Sequence, residues 1–273
     1  MVCFGAFSIC FLTSHFVMID THSHIYDEAY DADFEQVVER AKEAGVERIV
    51  MPGIDSGCYL RMLHCSDVLG DFAWPATGLH PTEVRENWRE ELQFVYDRFG
   101  DRNWVAIGEI GMDLYWSREF QQQQREVFCA QLLLAWEKDL PVIIHAREAT
   151  EEIFACIKKV AKPLRGVFHA FTGSWETYTR IKRAGDFKVG IGGVVTFKNA
   201  HVATAIEKIP LEDILLETDA PYLTPVPYRG KRNESAYIRH VAEKIADVKG
   251  LDFETVNRVT TQSAMNLFRF LKK

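Results

Sequence analysis

Two histidines one residue apart, His22 and His24, follow directly on an apolar run that ends at Asp20. In extended backbone, residues i and i+2 point the same way. The pair can therefore present two imidazoles to one side of the chain, as two neighbouring coordination positions of a metal ion require. Alone, such a pair reads more readily as two surface histidines. Repetition changes the reading: His80, Glu109, His145, His169 and Asp219 each stand at or just after the end of a later apolar run.

Three or four imidazoles and two carboxylates exceed the needs of one ion. Two divalent ions sharing Glu109 would use the whole set, and such a pair polarises a phosphoryl oxygen while activating water. Mixed nitrogen and oxygen donors without thiolates suit Zn, Mn, Co or Fe, with Mg open if water completes its shell. Each residue also has a bland reading. Glu109 could be a buried charge paired with an arginine, and His145 and His169 hydrogen-bonded core histidines. Asp219 could cap a turn, and His80 could serve structure alone before Pro81. The other histidines (His15, His64, His201 and His240) fall near the N-terminus or on helices and are read as lacking a chemical role.

The elements that must position these groups follow from periodicity. Strands are expected at 17–20, 46–51, 72–78, 104–109, 141–145, 166–169, 188–194 and 214–219. Helices are expected at 33–45, 56–69, 90–99, 118–138, 148–160, 175–184 and 200–208, with two more at 235–249 and 253–270. Near-continuous apolar strands are covered on both faces. Alternation of such strands with helices predicts an α/β chain folded as one (β/α)8 barrel of the TIM type, with a doubly wound open sheet as runner-up. In a barrel, the strand C-termini converge on one mouth, and that is where the candidate residues stand.

The chain has 273 residues, 47% apolar and 26% charged, with a net charge of −7. No global positive field draws in nucleic acid. The six cysteines form no C-x-x-C pair, which reads as reduced thiols in a cytoplasmic protein. Residues 1–17 are apolar, carry no Lys or Arg, and are too short to cross a membrane. We read them as a dispensable extension, with Met18 as an alternative first residue and 18–273 as the barrel.

Six segments in order carry a family resemblance. They are Asp20-Thr21-His22-Ser23-His24, Thr77-Gly78-Leu79-His80-Pro81, Gly108-Glu109-Ile110-Gly111-Met112-Asp113, His145-Ala146-Arg147, His169-Ala170-Phe171-Thr172-Gly173 and Glu217-Thr218-Asp219-Ala220-Pro221. Together they resemble the TatD family of metal-dependent deoxyribonucleases, within the amidohydrolase-like barrels. The resemblance implies two divalent ions (Mg, Mn or Zn) and hydrolysis of DNA phosphodiester bonds, often from a 3′ end. The substrate would be single-stranded or end-frayed, with no membrane and no obligatory protein partner. It implies that His22, His24, Glu109 and Asp219 hold one ion and that Glu109, His145 and His169 hold the second. His80 resembles the residue that meets the substrate phosphate, and residues 229–234 resemble a basic loop closing over the site. Ser235 stands where the family commonly has proline.

On this reading, activated water attacks phosphorus and Asp219 orients or deprotonates it. Glu109 is the other catalytic carboxylate. His80, Arg147 and Arg229, with Lys231 and Arg232, are candidates for the substrate phosphate. Tyr115, Trp116, Phe171 and Trp175 either stack on bases or pack the loops. The same cage could instead hydrolyse an amide, lactone or D-aminoacyl ester, although many such enzymes bridge their ions with a modified lysine where this chain has Glu109. A non-catalytic binding protein on the same scaffold is the third reading.

Overall fold

Runs such as Val142-Ile143-Ile144 and Ile214-Leu215-Leu216 are buried on both faces, as strands are when helices cover a closed or layered sheet. The computed structural model describes residues 17–269. Among these, eight strands alternate with helices. The strands are β1 (Met18–Asp20), β2 (Val46–Met51), β3 (Ala73–Pro75), β4 (Ile107–Asp113), β5 (Val142–Arg147), β6 (Arg165–Phe168), β7 (Asp186–Ile191) and β8 (Ile214–Leu216). The helices are α1 (Phe34–Glu43), α2 (Tyr59–Leu69), α3 (Trp88–Asp97), α4 (Gln121–Glu137), α5 (Thr150–Val160), α6 (Trp175–Ala184), α7 (Val202–Lys208), α8 (Ile238–Lys249) and α9 (Phe253–Phe268).

All strand pairs are parallel, in the order β1-β2-β3 and β4-β5-β6-β7-β8. Parallel bridges join the two sheets at both seams, Thr77 with Ile107 and Ser23 with Ala220. Hydrogen bonds from Gly108 N to Thr77 O and from Thr21 N to Leu216 O flank them. Neighbours thus follow chain order all the way round, consistent with the expected β/α barrel. A doubly wound sheet reverses its order at a switch point; this one does not.

Side chains alternate between two environments. Ile19, Val50, Trp74, Ile143, Val167 and Leu215 meet in one interior cluster, closed by Leu267 and Phe268 of α9. Their neighbours Ile49, Met51, Val142, Ile144, Ile214 and Leu216 pack in the layer shared with the helices. The same alternation turns His145 toward the side of Ile143, and Glu217 toward that of Leu215.

Several boundaries differ from expectation. The fourth strand begins at Ile107 and runs on to Asp113, so Glu109 lies inside it rather than at its end. The flanking glycines, which hide the apolar period in sequence, permit close packing here: a Cβ on Gly111 (φ 144°) would stand 2.0 Å from His145 O. Strands β3 and β8 are shorter than their apolar runs because pairing with neighbours stops first. The expected extension lies outside the described residues except for Val17, whose carbonyl accepts from Thr261 Oγ1. Among the described residues, no helix is long and apolar enough to cross a membrane.

Candidate metal centre

Glu109 stands at the middle of the site, 2% exposed. Its Oε2 lies 3.0 Å from His22 Nε2 and 3.9 Å from His24 Nε2. Its Oε1 lies 2.7 Å from His169 Nε2 and 2.9 Å from His145 Nδ1. Asp219 Oδ1 completes the first group at 3.6 Å from both His22 Nε2 and His24 Nε2. His80 Nε2 approaches Oε1 at 3.3 Å. Residues from β1, β3, β4, β5, β6 and β8 and the loops that follow them are thus gathered round one carboxylate, with two imidazoles facing Oε2 and three facing Oε1.

The rings are oriented by partners behind them. Tyr26 donates its hydroxyl hydrogen to Pro52 O, so toward His24 Nδ1, 3.0 Å away, it can only accept. The His24 proton therefore sits on Nδ1, and Nε2 presents a lone pair. Asp113 Oδ2 does the same for His145, 2.9 Å from Nε2, leaving Nδ1 as an acceptor. His145 Nδ1 then faces Glu109 Oε1 and, at 3.3 Å, His169 Nε2. Acceptors converging this closely repel one another unless a proton or cation sits among them. This arrangement, with its nitrogen and oxygen donors, fits a divalent ion on each side of Glu109. The triads His22–His24–Asp219 and His80–Glu109–His145 each have donor atoms close enough to share an ion. For His80, Thr82 holds Nδ1 from two sides, its backbone N–H donating at 3.2 Å and its Oγ1 standing 2.7 Å away, so that Nε2 is turned to Glu109.

Backbone geometry is set by two further buried carboxylates. Asp20 Oδ1 accepts from His22 N and Thr218 N, and Oδ2 accepts from Thr218 Oγ1 at 2.6 Å. This fixes the histidine pair against the turn that carries Asp219. Asp219 itself has φ 56°, a left-handed conformation that Asp tolerates better than most residues. Glu217 Oε1 accepts from Ala170 N at 2.6 Å and lies 3.7 Å from His169 Nδ1. Gly190 makes room for it, because a Cβ there would meet Glu217 Oε2 at 1.9 Å. His22, His169 and Glu217 also have donor atoms within reach of one ion, but Glu217 Oε1 is engaged with Ala170.

Charge distribution follows the geometry. Burial alone would raise the Glu109 carboxyl, but His169, His22 and His80 outweigh it and hold it well below the usual range. Burial would lower His169, whereas Glu109 and Glu217 push it well above the ordinary imidazole value. Burial lowers His22 and His80. Burial also pushes Asp20 up to about 7, against the pull of its hydrogen bonds from Ser235 and Thr218.

A family model described as TatD related DNase matches residues 19–269. The chain belongs to the TatD family. It is 42% identical over 255 residues to an uncharacterized metal-dependent hydrolase, YabD, of Bacillus subtilis, covering 93% of this chain and 99% of that one. It is 33% identical over 259 residues to the 3′-5′ ssDNA/RNA exonuclease TatD of Pantoea ananatis, covering 92% and 99%. The solved structure of the TatD homologue YjjV of Escherichia coli superposes with a TM-score of 0.84 at 28% identity, covering 93% and 98%. The TatD fold is therefore shown, in a family whose relatives are named as metal-dependent hydrolases.

Other expected site residues divide sharply. Arg147 is exposed on β5, with its guanidinium carbon 3.8 Å from the Tyr115 ring centre and 5.2 Å from that of Trp116. Arg229 is exposed and lies over Phe197 at 3.9 Å. Arg232, expected to face substrate, instead makes two bonds to Asp33 at 2.8 and 2.7 Å and one to Ala29 O. Its charge is already engaged by a carboxylate. Behind it, Asn233 donates to Thr218 O and Tyr222 O, and Glu234 pairs with Arg40 at 2.6 Å. Ser235 hydrogen-bonds Ser23 through its hydroxyl at 3.2 Å and so ties this loop to the histidine pair. Of the four loop aromatics, Phe171 is buried and Trp175 packs on Tyr178, so both serve packing. The sequence alone assigns no role to Asp20, Tyr26, Asp113 or Glu217, which act here through hydrogen bonds to the residues that carry the site.

Proposed function

We propose that this chain is a two-metal nuclease that hydrolyses phosphodiester bonds of single-stranded DNA, with 3′-5′ polarity and RNA as a second substrate. The observation that carries the reading is the Glu109 carboxylate, whose two oxygens face separate imidazole groups. The names of the TatD exonucleases among its relatives support the choice of substrate. In this reading, His22, His24, Glu109 and Asp219 hold one divalent ion, and Glu109, His145 and His169 hold the other. When bound, such ions supply Lewis acidity toward a phosphoryl oxygen and acidify water.

The chain's own residues then divide the work. Asp219, the most exposed of the proposed carboxylate ligands, orients the attacking water and takes its proton. His80 donates Nε2–H to the phosphoryl oxygen on which charge develops. Arg147 and Arg229 at the mouth hold neighbouring phosphates, a local attraction that a net charge of −7 makes necessary. Carbonyl substrates are disfavoured because the bridge is a glutamate rather than a lysine. Free thiols at Cys58, Cys65, Cys129 and Cys156 agree with a cytoplasmic setting, and a chain begun at Met18 retains the whole site.

The test uses oligonucleotides labelled at the 3′ or 5′ end, with Mg, Mn, Zn or EDTA. Metal-dependent shortening from the 3′ end supports the proposal. Substitution Asp219→Asn preserves side-chain shape and tolerance of the left-handed backbone, so it should abolish cleavage while the circular dichroism spectrum stays native. Cleavage of D-aminoacyl-tRNA but of no oligonucleotide would replace the nuclease reading with the ester-hydrolase one.

A further inference from the structure

We propose that Tyr115, Trp116 and Arg147 form a stacking platform for an unpaired nucleobase beside the scissile phosphodiester, an assignment that rests on the nuclease reading. Contiguous exposed apolar surface, unlike a single exposed ring, marks an interaction site. Trp116 is 70% exposed and Tyr115 is 49% exposed, while Phe171 is buried. The two rings meet edge to face, with centres 4.9 Å apart and planes at 82°. Arg147 caps them with its guanidinium. This composite surface of π faces and one cation is the kind on which single-stranded bases stack, with the cation beside their phosphates.

Its link to the metal centre is covalent at one end and hydrogen-bonded at the other. Arg147 lies two residues past His145 on β5, so both side chains leave the strand on the same side. Asp113 uses Oδ2 to hold His145 Nε2. Its other oxygen, Oδ1, accepts from Tyr115 N at 3.0 Å and Trp116 N at 3.4 Å. One buried carboxylate therefore fixes a ring at the centre and the backbone of the platform. A groove of about 590 Å³ runs alongside, lined by Trp116, Asp113, Phe120, Pro81, Thr82 and Arg85. Thr82 is the residue that holds His80 Nδ1. The groove is thus bounded by Trp116 on one side and by Thr82, beside His80, on the other, with Glu86 and Glu119 also on its wall, and its volume accommodates a nucleotide. Bases inside a duplex are stacked on one another and offer no free face, so the platform selects single strands and frayed ends.

The test compares a single-stranded oligothymidylate with the same oligomer carrying abasic residues at its 3′ end, in Mn. In wild type, the abasic oligomer should show a KM about tenfold higher. Trp116→Ala should raise KM for the normal oligomer by about tenfold, leave kcat within about twofold, and erase the difference between the two oligomers. Trp116→Phe should restore most of that difference. An unchanged KM in Trp116→Ala overturns the proposal, and so does an equal loss on both oligomers, which marks a structural role. Anisotropy of labelled oligothymidylate in EDTA separates the two readings. If wild type cleaves nothing, the nuclease reading fails, yet the platform still requires about tenfold weaker binding by Trp116→Ala, and equal binding overturns it.

Discussion

Asp113 Oδ2 stands 2.9 Å from His145 Nε2, on the opposite side of the ring from the nitrogen that faces Glu109. A carboxylate in that position fixes the tautomer and makes Nδ1 a better ligand. Substitution Asp113→Ala should weaken binding of a divalent ion by about 10- to 100-fold while the circular dichroism spectrum stays native. Competition against a chromophoric chelator reads the affinity. Unaltered affinity would mean that His145 needs no such support.

His80 stands apart from the other imidazoles, because Thr82 holds its Nδ1 and it belongs to neither proposed ligand set. As a donor to the phosphoryl oxygen, it should matter to turnover and not to ion binding. His80→Ala is expected to lower kcat by about 10²- to 10³-fold and to retain the wild-type metal content. Loss of an ion in that variant would make His80 a ligand and reverse its assignment.

Strand ends were the legible part of this site. Apolar runs stopping at His22, His145, His169 and Asp219 mark them in a single sequence, because alternation inside a closed sheet leaves few other places for such residues. Glu109 lies inside its strand rather than at its end, since Gly108 and Gly111 hide the apolar period and pairing with β5 carries the strand on to Asp113. Asp20 and Glu217 were illegible for a different reason. Each is a polar residue beside an apolar strand whose purpose exists only through a distant partner, Thr218 for Asp20 and Ala170 for Glu217. The same holds for Gln131 on α4, which satisfies both backbone groups of Leu79 beside His80. Arg232 failed conversely: a basic residue in a loop at the mouth looks like a phosphate contact until Asp33 is seen beside it.

The Arg232–Asp33 pair gives a pH-dependent expectation. The hydrogen bond from Arg232 holds the Asp33 carboxyl below the usual range. A group depressed in the folded state contributes stability above its unfolded pKa, near 4, and loses it as pH falls through the folded value. Both partners are about one-third exposed, so solvent screening keeps the contribution small. Arg232→Ala should lower stability by at most about 1 kcal/mol at neutral pH, with the gap to wild type closing below about pH 4 and nuclease activity unchanged. Urea titrations across that range measure it. A gap that widens on acidification would contradict the pairing.

The account stands on Glu109 joining two cation positions, and metal stoichiometry tests this most directly. Elemental analysis of protein equilibrated with Mn or Zn and then freed of unbound ion should give two ions per wild-type chain. Glu109→Gln, which keeps the side chain's size and removes its charge, should retain at most one. Two ions held by Glu109→Gln with undiminished affinity, or a wild-type chain that binds none, would contradict it.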